Sequence, residues 1–84
     1  MSYQIRVTAR AARDLQRLPE KIVSACVEFI YGPLADNPQR VGKPLRGELT
    51  GQHSARRGEY RVIYIIGGQH VDIVHIAHRG DVYR

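Results

Sequence analysis

Two apolar runs meet at Gly67-Gly68, and their pairing limits the folds open to this chain. Tyr60-Arg61-Val62-Ile63-Tyr64-Ile65-Ile66 precedes the glycines; Gln69 to Ala77, with Val71, Ile73, Val74 and Ile76, follows them. β-Branched and aromatic residues in runs of this length, hinged at a glycine pair, read as a hairpin of central strands. Alternate side chains of a strand point to opposite faces. Tyr60, Val62, Tyr64 and Ile66 therefore share one face, assigned to the core, and Arg61 lies on the other with Ile63 and Ile65. A guanidinium near the start of the most apolar strand requires an anion, from the protein or from outside it.

Upstream, Tyr3-Gln4-Ile5-Arg6-Val7 alternates and predicts a first strand with Tyr3, Ile5 and Val7 inward. Thr8 is placed to cap a helix over Ala9 to Leu18, with Ala12, Leu15 and Leu18 on its inner side. Arg10, Arg13 and Arg17 form an outer basic stripe, read either as a solvated face or as a contact for a nucleic-acid backbone. Pro19 ends this helix and opens a second, Glu20 to Tyr31, whose apolar stripe is Ile22, Val23, Cys26, Val27, Phe29 and Ile30. Gly32-Pro33 is expected to stop it. Leu34 to Gly51 reads as a surface connection, locally basic through Arg40, Lys43 and Arg46 and pinned by Val41 and Leu45. His53 to Arg57 reads as a strand leading into a turn at Gly58. The expected fold is α+β and one domain, residues 1–84: an N-terminal strand, a helical hairpin, then a three-stranded antiparallel meander, together one small antiparallel sheet. The helical hairpin covers one face, and the face with Arg61 is left partly open.

The chain carries a net charge of +5 and a sequence pI near 9.9, which favours an acidic partner such as nucleic acid. The basic residues are 11 Arg against 2 Lys. The planar fork of arginine suits phosphate and carboxylate, although a GC-rich genome would also raise its share. Cys26 stands alone in a helix and is expected to pack as a small hydrophobe in a reducing cytoplasm. The N-terminus shows no secretory apolar region, and no apolar run approaches the ~20 residues of a membrane span.

His53, His70, His75 and His78 lack clustered cysteine or carboxylate companions, so no metal site is expected. No glycine-rich phosphate loop or nucleophile turn occurs. What remains is Arg56, Arg61, Arg79, Tyr83, His53 and His78, a set suited to cutting RNA through its own 2′-hydroxyl. Cations would hold the charge that develops at phosphorus. Guanidinium groups do not deprotonate, so histidine or tyrosine would handle protons, or the reaction would lean on positioning. Each residue has a plainer alternative. Arg61 has an ion pair with Glu59 or Asp72, Arg79 one with Asp81, and Tyr83 a packing role in the tail. Arg56 has a place as a solvated strand residue, His53 as the end of a turn, and His75 as a satisfied core residue. His78 remains open between the two kinds of role.

Lys43-Pro44-Leu45, Leu49-x-Gly51, Ser54-x-Arg56-x-Gly58-x-Tyr60-Arg61-Val62-Ile63-Tyr64 and His78-Arg79-x-x-Val82-Tyr83 together resemble the RelE/ParE superfamily of bacterial toxins, as does Ala12-Arg13-Asp14-Leu15 before Leu18-Pro19. The resemblance spans nearly the whole chain. It implies a four-stranded antiparallel sheet with an N-terminal helical hairpin. It implies the toxin of a type II toxin–antitoxin system, a ribosome-dependent endoribonuclease that cuts messenger RNA in the A site without metal or cofactor. It implies a bacterial, cytoplasmic location and a RelB-type antitoxin that wraps and silences the toxin and binds the operon's DNA.

By position, Arg61 and Arg79 match the arginines that hold the scissile phosphate, Tyr83 the tail tyrosine at the nucleotide, and Arg56 a basic residue of the preceding strand. Where RelE-type toxins carry lysines before the motif, this chain has Gln52 or His53 and Ser54, and its spacing from Arg79 to Tyr83 is shorter. The proton-transfer roles therefore pass to His53 or His78 as candidates. Arg10, Arg13, Arg17, Arg40, Lys43, Arg46 and Arg57 are candidates for touching RNA or ribosome. A ParE-like gyrase inhibitor on the same fold, without nuclease chemistry, is the alternative function. A generic basic RNA- or protein-binding domain stands behind both.

Overall fold

The structure is a computed structural model and describes residues 2–78, with His78 by its backbone alone. Strand β1 (Gln4–Val7) leads into helices α1 (Ala9–Gln16) and α2 (Glu20–Phe29). The path then runs through a wide helical turn (Ile30–Leu34), the short helix α3 (Pro38–Val41), strand β2 (Lys43–Pro44) and a tight turn (Gly47–Leu49). Strands β3 (His53–Arg57), β4 (Tyr60–Ile66) and β5 (His70–His78) follow. The sheet has five strands in the order β1-β5-β4-β3-β2.

The meander β3-β4-β5 is antiparallel as expected, but β1 joins β5 in parallel, Gln4 opposite His70 and Val7 opposite Ile73. The sheet is therefore mixed. The first and last strands run the same way, and parallel neighbours need a long crossover; the intervening helices and strands supply it. Within β1, Ile5 packs on the core beside Tyr3, while Val7 stays 38% exposed.

Thr8 caps α1 as its residue type suggests: its Oγ1 accepts from Ala11 N–H and donates to the Ile73 carbonyl 2.9 Å away. The inner stripe of α1 is Ala11, Leu15 and Leu18, not one that starts at Ala12; Ala11 has no exposed surface. The four-residue step from Ala11 to Leu15 places the methyl of Ala11 directly above the core. Pro19 begins α2, its carbonyl accepting from Ile22 and Val23. Gly32-Pro33 does not stop the helical path. The coil widens over Ile30–Leu34, and the Ala35 N–H reaches the carbonyls of Gly32 and Ile30. A wider coil tolerates the proline because the missing N–H is absorbed in the irregular ladder.

Both helices lie on one face of the sheet. The core there is Ala11, Cys26, Ile30, Leu34, Ala55, Val62, Tyr64, Val71, Ile73 and Ile76. Cys26 is buried and reduced, as expected of a small hydrophobe, and burial pushes its thiol up from its ordinary value. Tyr64 is the largest wholly buried side chain. Its hydroxyl donates to the Pro38 carbonyl at 2.6 Å, and burial raises it to about 12. The Gly42 backbone presses against this ring, where a Cβ would collide with the hydroxyl and with the Ser54 carbonyl. Tyr64 thus holds the connection from α3 to β2 against the sheet.

Gly42→Ala should destabilise the fold by about 1–3 kcal/mol in urea unfolding. Tyr64→Phe should cost about 1 kcal/mol for the lost hydrogen bond. The double variant should lose less than the sum, because removing the hydroxyl relieves part of the clash. Additive losses would show that the clash with the backbone alone matters.

Candidate functional site

Strand parity assigns the basic residues to faces. Val62 and Tyr64 face the helices with no exposed surface, so Arg61 and Ile63 face away. On β3, Arg56 stands directly opposite Arg61, and Ser54 directly opposite Ile63. Lys43 on β2 is opposite Ser54. On β5, Ala77 is opposite Arg61 and His75 opposite Ile63. Two adjoining rows thus cross the far face: Arg56, Arg61 and Ala77, then Lys43, Ser54, Ile63 and His75.

Directly opposed side chains have Cβ atoms about 4.5–5.5 Å apart, and like charges so placed repel. The pairing of Arg56 with Arg61 therefore favours an anion between or above them. Arg56 is exposed, with its Nε donating to the Gly58 carbonyl at 3.0 Å. That carbonyl belongs to the turn where Gly58 adopts φ +62°. Arg61 is half-buried, and its Nε is shielded from solvent. The face is partly open: Lys43, Arg56 and Ile65 are exposed, while Ile63, Ala77 and Ser54 at its centre are buried. Among the described residues Ser54 Oγ finds no hydrogen-bond partner. Asp72, one of the two acids in the alternative reading of Arg61, is held by Arg6 at 2.6 Å. That guanidinium keeps the Asp72 carboxyl below its ordinary range, and Asp72 in turn raises Arg6.

His53 does not join this face. It sits opposite Tyr64 and stacks on it, ring centroids 5.5 Å apart. Its Nδ1 is buried with no hydrogen-bond partner among the described residues. Arg57 also turns to the helix side, where its charge acts on the Cys26 thiol. Arg10, Arg13 and Arg17 are exposed on α1, Arg40 is exposed on α3, and Arg46 precedes the Gly47–Leu49 turn. Only Lys43 of the RNA-contact candidates shares the face of Arg56 and Arg61. Arg79, Tyr83 and the side chain of His78 lie outside the described residues.

Sequence reasoning missed Ser54 and treated His75 as core. His75 is partly exposed, with its Nδ1 at 2.6 Å from Asp14 Oδ2 on α1. The same carboxylate oxygen accepts the Ile76 N–H at 3.0 Å. Asp14 therefore occupies the edge of β5 just beyond the point where β1 ends. The signal was present in the sequence as an acid within an arginine-rich helix, but only folding shows what it faces. No three His, Cys, Asp or Glu side chains cluster as a metal site among the described residues, and no described helix is long and apolar enough to cross a membrane.

The fold is shared by the toxin–antitoxin complex RelBE2 of Mycobacterium tuberculosis, matched at a TM-score of 0.91 and 49% identity over 96% of this chain and 95% of that one. The chain belongs to the family described as ParE toxin of type II toxin–antitoxin system, parDE, whose model matches residues 5–83. Among its relatives, Toxin RelE of Mycobacterium tuberculosis is 63% identical over 98% of this chain and 87% of that protein. Toxin RelG of the same organism is 51% identical over 100% and 99%. The resemblance to RelE/ParE toxins, and the small α+β fold it implies, thus agree with these matches.

Asp14→Ala should destabilise the protein by about 1–3 kcal/mol, since it strands the Ile76 N–H and the His75 imidazole together. Urea unfolding checks this, and Asp14→Asn, which keeps an acceptor, should recover part of the loss.

Proposed function

We propose that this type II toxin is a ribosome-dependent endoribonuclease that cuts messenger RNA in the A site. The observation that carries the reading is the direct opposition of Arg56 and Arg61 on the face turned away from the helices, with Lys43 one row further on. A pure binding protein has no need to gather cations round one phosphate. In the reaction the ribose 2′-hydroxyl attacks the adjacent phosphorus and the 5′-oxygen leaves. The guanidinium groups stabilise the extra negative charge of the transition state, and they remain protonated throughout. The ribosome holds the message in position, so that the cost of ordering it is met before the chemical step.

The name Toxin RelE, carried by a relative 63% identical, supports the same reading. The similarity to a toxin solved in complex with its antitoxin supports a RelB-type antitoxin as partner. With ribosomes and messenger RNA as targets, the site of action is the bacterial cytoplasm.

The test is cleavage in a translation extract, with message ends mapped on stalled ribosomes. The wild-type chain should cut, and Arg61→Ala should lower the rate by about 100-fold or more. Arg56→Ala should weaken RNA binding and flatten its salt dependence by about one phosphate contact. Intact message with accumulating DNA breaks would replace this reading by gyrase inhibition.

A further inference from the structure

We propose that His75, aimed by Asp14, is the general base of this site; the inference rests on the nuclease reading and names a proton acceptor for it among the described residues. The arginines cannot take a proton. His53 is on the other face, stacked against Tyr64. His70 stands near the turn end of β5, 3.9 Å from Asp72 and at the opposite end of the hairpin from Arg61. His75 is different. It is opposite Ile63, and Arg61 is opposite Ala77, so His75 and Arg61 are diagonal neighbours on one face. Diagonal neighbours in an antiparallel pair are about 7–8 Å apart, within the joint reach of an imidazole, a phosphodiester and a guanidinium. The irregularity of the β4–β5 pair lies on the far side of Ile63, so it does not disturb this relation.

The ring is also set for the task. An ionised Asp14 carboxylate can only accept, so the Nδ1 of a neutral His75, 2.6 Å away, must carry the hydrogen. The Nε2 lone pair is then the one available to a substrate. Asp14 is itself fixed by the Ile76 N–H, so the imidazole is held by two bonds in series rather than by its own rotamer. Among the described residues, the charged groups placed to face His75 are Asp14 from α1, in contact with it, and Arg61 from β4, diagonal to it, with Arg10 and Arg17 one turn either side of Asp14 along α1.

In the step, the 2′-hydroxyl proton moves to His75 Nε2 as O2′ bonds to phosphorus. The bond from phosphorus to O5′ breaks, and O5′ leaves with a proton from water. The products are a 2′,3′-cyclic phosphate and a 5′-hydroxyl. Asp14 stabilises the imidazolium that forms, and so acts as a positioning residue.

The experiment compares wild type, His75→Asn and His75→Gln in single-turnover cleavage of ribosome-bound message across a range of pH. The asparagine amide takes the place of Nδ1 and can keep the bond to Asp14, but it offers no lone pair at the Nε2 position. We expect His75→Asn to bind RNA and unfold near the wild-type midpoint, and both variants to cut about 100-fold more slowly or worse. We also expect the fall in wild-type rate towards acid pH, where a base is titrated, to disappear from the residual activity. His75→Asn cutting within about threefold of wild type, or keeping the acid limb, would overturn this assignment and leave the nuclease reading in place. A wild-type chain that leaves message intact would overturn both.

Discussion

The orientation of β4 is the constraint on which the rest of the molecule depends. Val62 and Tyr64 bury their whole side chains against the helices, and a slip of one residue would turn both away from the helices to the opposite face. Their burial therefore fixes Arg61 on the opposite face, a position that burial of a guanidinium would never favour by itself. Pairing then carries that choice across the sheet. Once Arg61 is placed, Arg56 must oppose it and Lys43, Ser54 and His75 must share its side. The site is a by-product of core packing one strand at a time.

A second constraint concerns the end of β5. The parallel strand β1 covers only its first half, up to Ile73, and an uncovered edge would leave backbone groups unpaired. Helix α1 closes it with side chains. Thr8 meets the Ile73 carbonyl, and Asp14 meets the Ile76 N–H. One residue of α1 thereby serves edge protection and the orientation of His75 at once. The helix that seals the core is in this way tied to a side chain of the opposite face.

Much of this was legible before any coordinates. The hairpin around Gly67-Gly68, the inward set Val62 and Tyr64, the cap at Thr8 and the packing of Cys26 follow from period, capping chemistry and residue type. In the inner stripe of α1, Leu15 and Leu18 are as expected and only its first member differs, Ala11 in place of Ala12, since two adjacent alanines give no contrast from which to choose between them. Gly32-Pro33 was read as a stop because local rules price the lost N–H and ignore the burial of Ile30 and Leu34 on either side. That burial holds the chain in a wider coil. Of the candidate site, Arg56 and Arg61 are legible as charges in strands, while strand pairing alone shows that His53 lies on the helix side and His75 on the side of Arg61. Charge can be read from one residue, but the face a histidine shares depends on strands far away in sequence.

By itself the sequence determined the first strand, the two long helices, the closing meander, the two faces of the central strands and a strongly basic composition, because each depends on neighbours a few residues apart; the stretch Leu34 to Gly51, read as a surface connection, instead holds α3 and β2 and buries Leu34 and Pro38. Only the tertiary structure decided that β1 runs parallel to the last strand, that Asp14 sits 61 residues from its imidazole partner yet in contact with it, and which cations share a face. Those outcomes depend on long-range pairing. They are settled by which buried surfaces fit together, and no local pattern records that competition.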